Sequence, residues 1–118
     1  MKKFMAIYTG TPAGRAAWDR LSPEERTSRQ AEGMRAWMKW GTANQSAIVD
    51  GGGPLGKTKL VSKQGIAETR NSMAAYVIVR AESHEDAARL FEDHPHFSIF
   101  PGDGVEVMEC LPIPGEPR

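Results

Sequence analysis

The chain has 118 residues, 40% apolar and 25% charged, enough for one globular domain and too little for two sizeable cores. Lys plus Arg and Asp plus Glu both total 15, so the formal charge is zero, which argues against a nucleic-acid or membrane-surface partner. Cys110 is the single cysteine, no Cys and His set has the spacing of a zinc site, and the apolar start is too short for a signal peptide or a membrane span. A cytoplasmic setting is expected, with no metal and no cofactor.

Lys2 to Tyr8 is a β-prone run closed by Gly10 and Pro12, with Phe4, Ala6 and Tyr8 alternating against Met5 and Ile7. Ser22-Pro23-Glu24-Glu25 then announces a long helix: Ser can cap, Pro suits the first helical position and Glu25 can complete a capping box. At 100° per residue, Gln30, Ala31, Met34, Trp37, Met38 and Gly41 fall in its inward arc, and Glu25, Arg29, Glu32, Arg35 and Lys39 in the outward one. Ala47–Asp50 and Thr58–Val61 read as a hairpin around a glycine-rich turn, and Gln64–Ser72 as a polar edge loop.

Met73 to Arg80 is the next strand, with Tyr76 and Ile78 opposing Ala75, Val77 and Val79. A helix opens at Ser83 with Asp86 three residues on, turns Ala87, Leu90 and Phe91 inward, and is expected to stop at Pro95. Val105 to Cys110 closes the set, and Pro112, Pro114 and Pro117 make residues 112–118 an extended tail behind a domain spanning 1–111. The predicted class is α+β, a ferredoxin-like βαββαβ layer with one elaborated hairpin. Two helices cover one face of such a sheet, yet the strands are apolar on both, so a homodimer is expected to bury the other.

Gly51-Gly52-Gly53-Pro54-Leu55-Gly56-Lys57-Thr58 satisfies the phosphate-loop pattern. That loop works by feeding a helix whose amides face the phosphates, and the β-branched Thr58–Ser62 that follows predicts a strand instead. Asp93-His94-Pro95-His96-Phe97 gathers two of the three histidines at a helix end. It reads either as a histidine cap beside a proline stop or as a site of proton transfer. Tyr8, Trp37 and Trp40 are candidates for an aromatic pocket, with Trp37 also explained as core, and Asp103 is a turn residue whose carboxylate could come near His96.

The order of elements, Gly52-Gly53-Pro54-Leu55, the strand ending at Glu82, the helix with Ala87, Ala88 and Leu90, the segment His94 to Phe97 and Val105-Glu106-Val107 together resemble the YCII-related proteins. Ala67-Glu68-Thr69-Arg70 is similar to the segment that follows the signature of the DGPF group, although the signature positions themselves read Lys63-Gln64-Gly65-Ile66. The resemblance implies a dimeric α/β barrel and a pocket holding a His-Asp pair. The histidine the family places on its first helix has no counterpart here, and His94 stands where the family often has aspartate. The resulting expectation is a homodimer that binds a small organic molecule and performs cofactor-independent acid-base chemistry of isomerase or lyase type. His94 would be the proton carrier, Asp93 or Asp103 its orienting carboxylate, His96 a second polar contact, and Tyr8, Trp37 and Trp40 the pocket. The alternative is a ligand-sensing or protein-interaction domain without catalysis.

Overall fold

A computed structural model describes residues 1–115. Six strands and four helices follow in the order β1 (Lys2–Gly10), α1 (Pro12–Asp19), α2 (Pro23–Ala43), β2 (Ile48–Pro54), β3 (Thr58–Ser62), β4 (Gly65–Thr69), β5 (Met73–Ala81), α3 (His84–Arg89), α4 (Pro95–Ser98) and β6 (Gly102–Glu109). A 3₁₀ turn, Gln45–Ala47, leads into β2. Four strands form an antiparallel sheet in the order β2-β5-β1-β6, the ferredoxin-like arrangement, and β3-β4 forms a separate two-stranded sheet inserted between β2 and β5.

Alternation in β1 sets the core. Phe4, Ala6 and Tyr8 face the helices beside their cross-strand partners Val79, Val77 and Ala75 on β5 and Glu109, Val107 and Val105 on β6. Phe91 and Ala87, with Trp37 and Trp40 of α2, cover this face. The other face carries Met5, Ile7, Ile78, Tyr76 and Met108, and no element of the described chain forms a second layer over it; Met5 and Met108 stay substantially exposed.

Several sequence expectations change. Thr11 caps α1 through its side chain with Pro12 at the first helical position, the same signal that Ser22-Pro23 gives α2, yet only the second helix was expected. β2 does not pair with Thr58–Val61: it joins β5, and β3 pairs with Gly65–Thr69, so the stretch expected as an edge loop is a strand. The glycines form no turn. They lie in a bulged edge strand whose register slips twice against β5, and Gly52 takes a left-handed φ of 63° with the Tyr76 carbonyl where a Cβ would stand. No helix follows the phosphate-loop look-alike, because Thr58 opens β3.

The buried side of α2 is rotated from the expected arc. Gly33 is its one buried residue, Trp37 and Trp40 are half-buried, Met34 is exposed but lines the space between this helix and the sheet, and Met38 faces outward. The reason is Phe100, whose ring lies where a Cβ on Gly33 would be, so the helix approaches most closely along that line. Pro95 does not end a helix either. After α3 the chain turns through Asp93, held at φ 54°, and Pro95 starts α4 with His94 as its N-cap. The β3-β4 arm, with Leu60, Val61 and Ile66 exposed, extends the molecule to 54 × 44 × 18 Å. Its radius of gyration is 16.4 Å, against about 13.5 Å for a compact chain of this length. Residues 110–115 follow β6 without helix or strand; the rest of the expected tail, with Pro117, lies outside the described residues.

Candidate active site

Tyr8 ends the core row of β1, and around its ring the helices place Trp37, His94, His96 and Phe91 at centroid distances of 5.0, 5.0, 5.1 and 6.0 Å. His94 is fully buried, with the rings of Trp37 and Trp40 at 4.5 and 4.7 Å on edge. Trp40 is anchored from behind by its indole N–H, which donates to the Leu90 carbonyl at 2.7 Å. The two histidines are two residues apart in the chain and differ in what engages their ring nitrogens.

Hydrogen bonds set the proton positions. The backbone N–H of His96 donates to His94 Nδ1 at 3.0 Å, so Nδ1 is an acceptor and the neutral imidazole carries its hydrogen on Nε2, 3.3 Å from the Tyr8 hydroxyl. His96 Nε2 lies 2.7 Å from the Thr9 carbonyl, which can only accept, so His96 also has its hydrogen on Nε2 and a lone pair on Nδ1. That Nδ1 has no hydrogen-bond partner among the described residues and is not sealed from solvent. His96 is wedged against Gly102, where any Cβ would run into the ring.

Charge follows burial. Desolvation first, and the neighbouring His96 second, push His94 down to about 4, so it is neutral at physiological pH. Burial lowers His96 as well, opposed by its bond to the Thr9 carbonyl and by the charge of Asp103. Burial raises the Tyr8 phenol, which therefore stays protonated as a donor.

A cavity of about 370 Å³ opens between α2 and the sheet, walled by Tyr8, Trp37, Phe100 and His96 and floored by Gly51 and Gly53 of β2. The glycine stretch thus contributes room: without side chains, the bulged edge strand leaves space above Tyr8. Of the residues expected at the site, Tyr8, Trp37, Trp40, His94 and His96 come together; Trp37 lines the cavity, whereas Trp40 lies behind His94. Asp93 does not join them. Its side chain is exposed and makes no hydrogen bond to either histidine, and its part is the left-handed turn that lets His94 point inward. Asp103 lies on β6, exposed, and reaches His96 through its charge without a hydrogen bond. Phe100 and the glycines of β2 are cavity residues that were not expected, and an aromatic just ahead of Pro101-Gly102 was the available signal. Among the described residues no three His, Cys, Asp or Glu side chains gather to hold a metal, and no helix is long and apolar enough to cross a membrane.

No protein-family model matches the chain, and no curated protein matches its sequence. Among solved structures, the chain is similar to the 5-chloro-2-hydroxyhydroquinone dehydrochlorinase of Burkholderia phenoliruptrix AC1100, solved in complex with 2,5-dihydroxybenzoquinone. The TM-score is 0.56 at 14% identity, over 92% of this chain and 93% of that one. At that identity the likeness is one of fold, in keeping with the α+β, ferredoxin-like arrangement of the chain.

Proposed function

We propose that the cavity binds a small oxygenated ring compound and that His96 exchanges a proton with it without a cofactor. The observation that carries this reading is the fixed polarity of the hydrogen bonds. Held at Nε2 by Thr9, His96 lines the cavity with its Nδ1 lone pair unengaged, an acceptor for a ligand. His94 donates to the Tyr8 oxygen, which leaves the phenol hydrogen for a ligand oxygen. One acceptor and one donor against aromatic walls suit a hydroxy-substituted enone or quinone, the class of the molecule bound by the dehydrochlorinase of similar fold. Tyr8 would hold the carbonyl oxygen while His96 Nδ1 takes a proton from the ring substrate and returns it elsewhere.

His94, enclosed with both nitrogens engaged, is a positioning residue in this scheme, and the proton carrier moves from His94 to His96. The open sheet face with Met5, Tyr76, Ile78 and Met108 is read as the seat of a second copy, in keeping with the resemblance to the YCII-related proteins and a cytoplasmic setting. Sedimentation of the protein as a monomer at micromolar concentration would remove that part of the reading.

The test is proton NMR in D2O with 2,5-dihydroxybenzoquinone as probe, following exchange of its ring hydrogens. Wild type is expected to bind it and accelerate exchange, and His96→Gln to lose about two orders of magnitude of the acceleration. Binding without exchange would favour a ligand sensor, and no binding would end the proposal.

A further inference from the structure

The aromatic cavity does not end at His96. His96 and Ala74 also line a second cleft, of about 550 Å³, whose remaining walls are the β1-α1 corner, the first turns of α1 and the link between β4 and β5. A backbone bond from the Gly10 N–H to the Ser72 carbonyl, 3.0 Å, ties two of these walls together. The two spaces thus adjoin at the His96 imidazole and Ala74, and their linings differ in kind. One is aromatic, while the other brings in the guanidinium groups of Arg15 and Arg70 against the single carboxylate of Asp19.

Arg15 already meets Asp19, at 3.4 Å. Arg70 makes no ion pair and no hydrogen bond among the described residues, although it lines this cleft as well as one along the β3-β4 arm. A cleft with two cations and one anion carries a net positive charge, and an uncommitted guanidinium matches the planar, two-oxygen geometry of a carboxylate.

We propose that this cleft receives the carboxylate of a ligand whose ring lies in the aromatic cavity, so that the protein's ligands are oxygenated aromatic acids whose carboxylate reaches the cleft past His96 on a short side chain. The inference rests on the ring-binding reading above and adds the anionic group. It also gives the β3-β4 arm a role, since the arm delivers Arg70 to the cleft.

Isothermal titration calorimetry with 3-(2,5-dihydroxyphenyl)propanoate and its uncharged amide separates the two claims. The acid is expected to bind about tenfold more tightly than the amide, a difference of about 1.4 kcal/mol. In the Arg70→Gln protein, an exposed substitution that leaves the fold intact, this ratio is expected to fall to within about twofold. Equal affinities in the wild type, or a tenfold ratio that survives in Arg70→Gln and in the Arg15→Gln, Arg70→Gln double variant, would overturn the carboxylate site while leaving the ring cavity standing. Failure of both compounds to bind would overturn the cavity reading and this inference with it.

Discussion

Acidification from about pH 7.5 to about pH 4.5 should cost the folded protein about 2.5 kcal/mol through His94 alone. In the unfolded chain this imidazole titrates at its ordinary 6.5, whereas in the folded one burial and the adjacent His96 hold it down to about 4. Between those values the unfolded chain binds the extra proton, so the contribution is complete above 6.5 and is lost as the pH falls toward 4. The full span is worth roughly 3 kcal/mol, undiminished by solvent because the side chain is wholly buried. The assay is urea unfolding followed by tryptophan fluorescence over this pH range, in wild type and His94→Asn. Asparagine keeps an acceptor for the His96 N–H, so the cap survives while the titration disappears. Groups remote from the histidine pair contribute equally in both proteins and cancel in the difference. The stability of the wild type relative to the variant should fall by about 2.5 kcal/mol across the range; parallel profiles within about 0.5 kcal/mol would refute the neutral, buried His94.

Three further outcomes follow from close contacts. Gly102→Ala drives a methyl into the His96 ring and off its bond to Thr9, so binding of a ring ligand should weaken about tenfold, or about 1.4 kcal/mol, with the loss read by calorimetry. Gly52→Ala puts a side chain at a left-handed φ against the Tyr76 carbonyl and should destabilise by about 2–4 kcal/mol in urea unfolding. Trp40→Phe keeps the packing on Phe91 but deprives the Leu90 carbonyl of its donor, and should lower stability by about 1–3 kcal/mol. A Trp40→Phe protein as stable as wild type would show that solvent takes over that carbonyl.

Much of the fold was legible because its signals are local. β1, β5 and β6 announce themselves by alternation, and Ser22-Pro23 by capping chemistry that the Ser22 hydroxyl performs on the Glu25 amide. What stayed hidden was pairing and rotation. Nothing within Thr58–Ser62 states whether it returns to β2 or goes forward to Gly65, since either choice makes an antiparallel pair. The inward line of α2 is likewise decided by Phe100 closing on Gly33, a contact between residues far apart in the chain.

The site shows the same division more sharply. The chain spells out two histidines around a proline, and a proline that cannot continue a helix is equally one that begins one. Taking Pro95 as a stop placed His94 at the negative end of a helix, where a charged imidazole is favoured; the fold makes it an N-cap that accepts an amide proton, which favours the neutral form. The groups that then separate the pair come from the opposite end of the sequence. Tyr8 and the tryptophans of α2 enclose His94, and the Thr9 carbonyl engages His96 at Nε2, leaving its Nδ1 without a partner among the described residues. Proton transfer requires both a reachable lone pair and a fixed tautomer. In this pair His96 alone keeps an unengaged lone pair, and the orienting groups are backbone rather than carboxylate: the His96 N–H fixes His94, where Asp93 or Asp103 was expected, and the Thr9 carbonyl fixes His96.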